Sequence, residues 1–201
     1  MRWATGRFNI AWSSATVVAL LTMGPLVESA PLLFLAGVGV AHALTLPVLL
    51  ALPRNPAREL GTHDPGSAAR PRGYVSLLRA VRVMLPLSYL YSAALIPQLP
   101  SALERLGVDV AWKPAAASVY LLARLVGFVL FERWHAWHGR ASMLVVGAAL
   151  LLTGFAATVV SPELSAAMLI SQASGRVLLL GGLGVFGLGA SMIYAGAIYY
   201  A

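Results

Sequence analysis

The stretch Arg124–Arg140, RLVGFVLFERWHAWHGR, leaves an apolar run through Glu132-Arg133, crosses a short aromatic and basic loop, and enters another apolar run at Ala141. This pattern predicts a membrane hairpin, because an apolar helix needs about 20 residues to cross the hydrocarbon core and charges gather where it emerges. Outward from it, the chain offers six such runs in 201 residues. With 59% hydrophobic and 10% charged residues and a mean hydropathy of +0.80, it departs from an ordinary soluble domain, where roughly a quarter of residues are charged. The expected fold class is all-α: a polytopic integral membrane helix bundle of about six transmembrane helices, with the lipid bilayer as its first partner.

The first predicted span, 8–26, follows a short N-terminus carrying Arg2 and Arg7. A cleavable leader ending at Ser29 is the competing reading, and Pro31 just beyond weighs against it. The second span, 31–52, places Gly37 and Ala41 four apart, a spacing that lets helices approach closely. His42 near its middle is expected to be a neutral imidazole bonded to a backbone carbonyl, with a functional role as the alternative. Residues 53–76 are the one long polar stretch, and proline, glycine and charge deny it a packed core. It is expected to be a flexible basic cytosolic linker that divides two helices from four. Its Arg54, Arg58, Arg70 and Arg72 orient the flanking helices, with anionic lipid headgroups as a second possible contact.

The third span, 77–99, begins with Arg79 and Arg82, which can snorkel to the interface, and contains Pro86 and Pro97, which should kink or end it locally. Ser88, Tyr91 and Gln98 fall roughly on one face, either as the wall of an aqueous cavity or as interhelical glue. The fourth span, 115–131, carries Arg124 well inside, a charge that costs at least about 2.5–3.5 kcal/mol at membrane depth. A carboxylate, backbone carbonyls or cavity water are the expected compensation. Glu132 lies about 12 Å along the same helix, too far to pair directly. In the loop that follows, Trp134 and Trp137 belong at the headgroup level, while His135 and His138 lack the further ligands that a metal needs.

The fifth span, 141–160, presents small residues at Gly147 and Gly154. A patch reading SAAMLISQA (165–173) is expected to lie on the surface before the sixth span, 177–201. There Gly187, Ser191 and Ala195 recur every four residues as a stripe for tight packing, with Ser191 and Tyr194 as a polar edge beside it.

Basic residues give the orientation, because loops rich in Lys and Arg stay cytosolic. The N-terminus, the long linker with its exit and the hairpin loop hold ten, against three (Arg105, Lys113, Arg176) on the alternate side. Both termini are therefore expected in the cytosol, in an inner or plasma membrane of bacterial type. The net charge of +7 serves topology and does not indicate nucleic acid, since the basic residues border apolar runs instead of forming a patch.

Two helices, a long basic linker and four helices, with a loop reading Gly127, Glu132-Arg133 and Gly139-Arg140, resemble the middle of a major facilitator superfamily transporter. Glu132 stands where that family has an aspartate, and Trp134 to His138 lengthen the gap. The resemblance implies that the six spans correspond to the fifth to tenth of twelve, and that a small solute moves by alternating access between helix bundles. It also implies that the third and sixth spans line a cavity, with Ser88, Tyr91, Gln98, Ser191 and Tyr194 as lining candidates. Arg124 joins them from its position in the membrane, and Gly127, Glu132, Arg133, Gly139 and Arg140 would form the cytosolic loop motif. In that case the chain is a piece of a longer transporter, completed by further helices of the same or another chain; the alternative is a non-catalytic six-helix membrane subunit or assembly partner.

An enzyme is not expected. The chain has no cysteine, so thiol chemistry and thiolate metal sites are excluded. Gly189-Ala190-Ser191 superficially resembles a rhomboid protease motif, but Met192 follows and no histidine comes after His138, so no nucleophile–base pair can be assembled. No cofactor and no metal are expected.

Overall fold

A computed structural model describes residues 2–51, 74–134, 137 and 140–200. The expected linker falls largely outside the described residues, as do His135, His138 and Gly139, and so does the side chain of His42. All regular elements among the described residues are helical.

Helix α1 (Arg2–Ser29) meets α2 (Pro31–Ala51) across Ala30 alone. The Ala30 N–H donates to the Leu26 carbonyl at 2.9 Å, and the Ala30 carbonyl accepts from the Phe34 N–H at 3.0 Å. The turn between the first two apolar runs is thus one residue, and Pro31 suits the first helical position because no N–H is needed there. Helix α3 (Tyr74–Leu95) runs through Pro86 and, after a 3-10 turn at Ile96–Gln98, resumes as α4 (Leu99–Arg105). A second 3-10 turn, Val110–Trp112, starts where the Asp109 carboxylate accepts from the Ala111 N–H at 2.9 Å. It leads into α5 (Lys113–Ala117) and α6 (Val119–Arg133), and α7 (Ala141–Ala166) and α8 (Gln172–Tyr200) follow.

Four stretches are long and apolar enough to cross a membrane: Tyr74–Arg105, Val110–Arg133, Ala141–Ala166 and Gln172–Tyr199. In α1 and α2 the described apolar stretches are shorter, Asn9–Thr22 and Pro31–Val40. An all-helical integral membrane protein follows from these lengths, since only helices satisfy their backbone internally in lipid and cross it without an edge to cover.

Helix α8 is the centre of the packing, against α7, α6 and α3. Gly175, Gly182, Gly189 and Gly196 recur every seven residues. A methyl group at Gly182 would come within 2.9 Å of the Thr158 backbone nitrogen, and one at Gly189 within 2.7 Å of the Gly147 carbonyl. From the α7 side, a methyl at Gly154 would run into the Phe186 backbone nitrogen. A seven-residue repeat keeps one seam of the helix facing its partner along its length. The four-residue stripe at Gly187 and Ser191 faces α6 instead, where Gly187 meets the Tyr120 carbonyl and Ser191 meets Gly127.

Helix α7 extends past the expected end at 160 despite Pro162. A proline there leaves the Thr158 carbonyl without its i+4 donor, and the Ser161 hydroxyl donates to that carbonyl instead at 3.1 Å. The patch SAAMLISQA lies on the surface as expected, with Met168 and Leu169 92% and 70% exposed, but it forms no helix of its own: it closes α7, makes a tight turn with Met168 at φ 57° and opens α8.

Candidate functional site around Arg124

Arg124 sits midway along the stretch Val110–Arg133, where α6 meets α1 and α8. Phe128, one turn further on α6, lies on the same face as Arg124. Tyr194 comes from α8, held close by the Gly127–Ser191 contact, and Trp12 comes from α1. The guanidinium carbon lies 4.9 Å from the Tyr194 ring centroid, 5.3 Å from Phe128 and 5.6 Å from Trp12. Each ring presents a negative quadrupole face to the cation, and such contacts strengthen where water is excluded.

What Arg124 lacks is an acceptor. Its Nε is buried with no hydrogen-bond partner, and neither ion pair among the described residues includes it. The carboxylate or carbonyl expected from sequence is thus not found there among the described residues. Aromatic faces offset part of the charge without receiving any N–H. On the α1 side, Asn9, Ser13 and Val17 are buried at four-residue spacing. The Ser13 hydroxyl, fully buried, also has no partner.

Of the lining candidates, Tyr194 adjoins Arg124 directly, and its ring also meets Tyr89 edge-on at 6.4 Å. Ser191 lies one turn away, fully buried against Gly127, and donates its hydroxyl to the Leu188 carbonyl at 2.6 Å. The other three lie elsewhere. Ser88 is buried and donates to Leu85 at 2.7 Å; Tyr91 stacks edge-on against Phe155 at 5.1 Å in the main core. Gln98 sits in the 3-10 turn, its amide donating to the Ala94 carbonyl at 2.8 Å, and borders a small cleft with Arg105, Thr158 and Glu163. Ser88 is buried and Tyr91 half-buried, whereas Gln98, in the 3-10 turn at the end of the helix, is exposed.

Of the loop motif, Gly127 is buried in the α6–α8 contact, Glu132 and Arg133 end α6, and Arg140 precedes α7 in extended conformation. Trp134 is 59% exposed, but Trp137 is 6% exposed. Trp137 is turned into the protein instead of facing outward: its Nε1–H donates to the Phe131 carbonyl at 3.2 Å, and its ring packs edge-on against Phe131 and Tyr199.

At the opposite end, the three basic residues of the alternate loops are all engaged. Arg105 holds Glu163 through two hydrogen bonds of 2.6 and 2.9 Å, and Lys113 meets Glu104 at 3.0 Å. Arg176 donates to the Leu106 and Gly107 carbonyls at 2.7 and 2.9 Å, closing the turn after α4, where Gly107 has a φ of 67°. Among the described residues no group of three His, Asp or Glu side chains could hold a metal.

Sequence reasoning missed Trp12, Ser13, Phe128 and Tyr89. Phe128 had a legible signal, four residues after Arg124 on one helix face; Trp12 and Ser13 had none, since only packing brings α1 to α6. No protein-family model, curated protein or solved structure matches this chain.

Proposed function

We propose that this chain is a membrane transporter, or a segment of one, moving a small solute by alternating access between helix bundles with Arg124 at the binding centre. The observation that carries this reading is a contrast between two interfaces. Helices α7 and α8 meet backbone to backbone through glycines, and α6 joins α8 through Gly127 and Ser191. Surfaces interlocked so closely are suited to staying together while a looser interface rearranges. Helix α1, by contrast, approaches α6 across Trp12 and Arg124, where an arginine Nε lacks a partner, and its own Ser13 hydroxyl is buried unbonded. An ionisable residue at membrane depth is costly to bury and is by default a candidate for a functional site. The six-helix count, the two-bundle division and the likeness to the middle of a major facilitator transporter belong to the same proposal.

A second reading, a non-catalytic membrane subunit, is favoured by α2, where Leu32, Leu33 and Leu35 are 80%, 67% and 63% exposed. Uptake into liposomes separates the two. Solute accumulation by the purified chain, lost in Arg124→Gln, supports transport. No uptake across a broad solute panel, together with stable co-purification of another membrane protein, would put the subunit reading first.

A further inference from the structure

We infer that Arg124 is the recognition point for an oxyanion, a carboxylate or phosphate carried on a small apolar body; this rests on the binding centre proposed above but does not require transport. A guanidinium carries five N–H donors and no acceptor. Arg124 meets three aromatic rings, which address the charge through their faces and accept no conventional hydrogen bond. Its planar fork matches a carboxylate or phosphate edge, the geometry in which arginine binds best. Trp12, Phe128 and Tyr194 around the guanidinium would contact the ligand's apolar body, leaving specificity to the anionic head.

Two sources can present this chemistry: a soluble organic acid and the phosphate of an anionic lipid. The purified full chain is placed in nanodiscs of phosphatidylcholine, and binding of radiolabelled benzoate is measured without any gradient. Saturable binding weakened at least tenfold in Arg124→Gln, and less in Arg124→Lys, supports a soluble carboxylate. If benzoate does not bind, nanodiscs containing phosphatidylglycerol are examined by native mass spectrometry. A retained lipid that Arg124→Gln releases supports the headgroup source. A melting temperature of Arg124→Gln equal to wild type keeps loss of binding distinct from loss of fold. Binding equal in wild type and Arg124→Gln, or neither ligand retained, overturns the inference. Binding without uptake in liposomes overturns only the transporter reading.

Discussion

Gly127 of α6 lies directly against Ser191 of α8, so close that a methyl group on Gly127 would overlap the serine hydroxyl. Sequence reasoning assigned Gly127 to a loop motif and Ser191 both to a small-residue packing stripe and to a cavity wall. Together they form a packing contact, and this contact brings Tyr194, one turn beyond Ser191, over the Arg124 guanidinium. Packing and site are therefore coupled through a single helix crossing.

The seven-residue glycine seam predicts a sharp positional contrast within α8. Gly189→Ala places a methyl 2.7 Å from the Gly147 carbonyl, where backbone must give way, and should destabilise the protein by about 1–3 kcal/mol. Gly181 has nothing within 4 Å of an added methyl, so Gly181→Ala should be neutral or stabilise by about 0.5–1 kcal/mol. Thermal unfolding in detergent compares the two. Equal melting temperatures would contradict the seam.

Arg176 should matter through hydrogen bonds, not through charge. Replacing it with methionine leaves the Leu106 and Gly107 carbonyls without their donor and should cost about 1–2 kcal/mol. Arg176→Lys should recover only part, because one ammonium cannot reproduce the spread of the guanidinium donors. Full recovery by lysine would show that charge alone suffices.

Trp137 closes the hairpin between α6 and α7. Trp137→Ala should destabilise it by about 3 kcal/mol and make residues 134–140 a preferred protease site. Trp137→Phe keeps the ring contacts with Phe131 and Tyr199 and loses only the bond to the Phe131 carbonyl, so it should be cut more slowly than the alanine variant. Resistance of Trp137→Ala equal to wild type would remove the closing role.

The orientation is open to direct labelling, since the chain has no cysteine of its own. Met168 is 92% exposed at the α7–α8 turn and Trp134 is 59% exposed in the hairpin, at opposite ends of α7. In intact cells an impermeant maleimide should label Met168→Cys and reach Trp134→Cys only after permeabilisation. The reverse pattern would invert the orientation that ten basic residues against three predict.

How much was legible differs between elements for physical reasons. The apolar runs behind Tyr74–Arg105, Val110–Arg133, Ala141–Ala166 and Gln172–Tyr199 could be read directly, because helix hydrogen bonds join residues four apart and lipid demands an apolar surface. The small stripe at Gly187 and Ser191 was also legible, though not the helix it serves. The seven-residue seam of Gly175, Gly182, Gly189 and Gly196 lay in the sequence unread beside that shorter period. The face shared by Ser88, Tyr91 and Gln98 was legible as a period, but the environment of each member was not: Ser88 is buried, Tyr91 is half-buried against Phe155, and Gln98 is exposed in the 3-10 turn Ile96–Gln98.

By itself, then, the sequence determined that this chain is helical and embedded in a membrane, with a charge at Arg124 that demands compensation. Only the tertiary structure decided what surrounds that charge: Trp12, Phe128 and Tyr194 from three helices, with the Nε left unbonded. Hydropathy encodes whether a helix forms and crosses lipid, a property of neighbouring residues. It does not encode the rotation of each helix about its own axis, and that rotation decides which distant side chains meet.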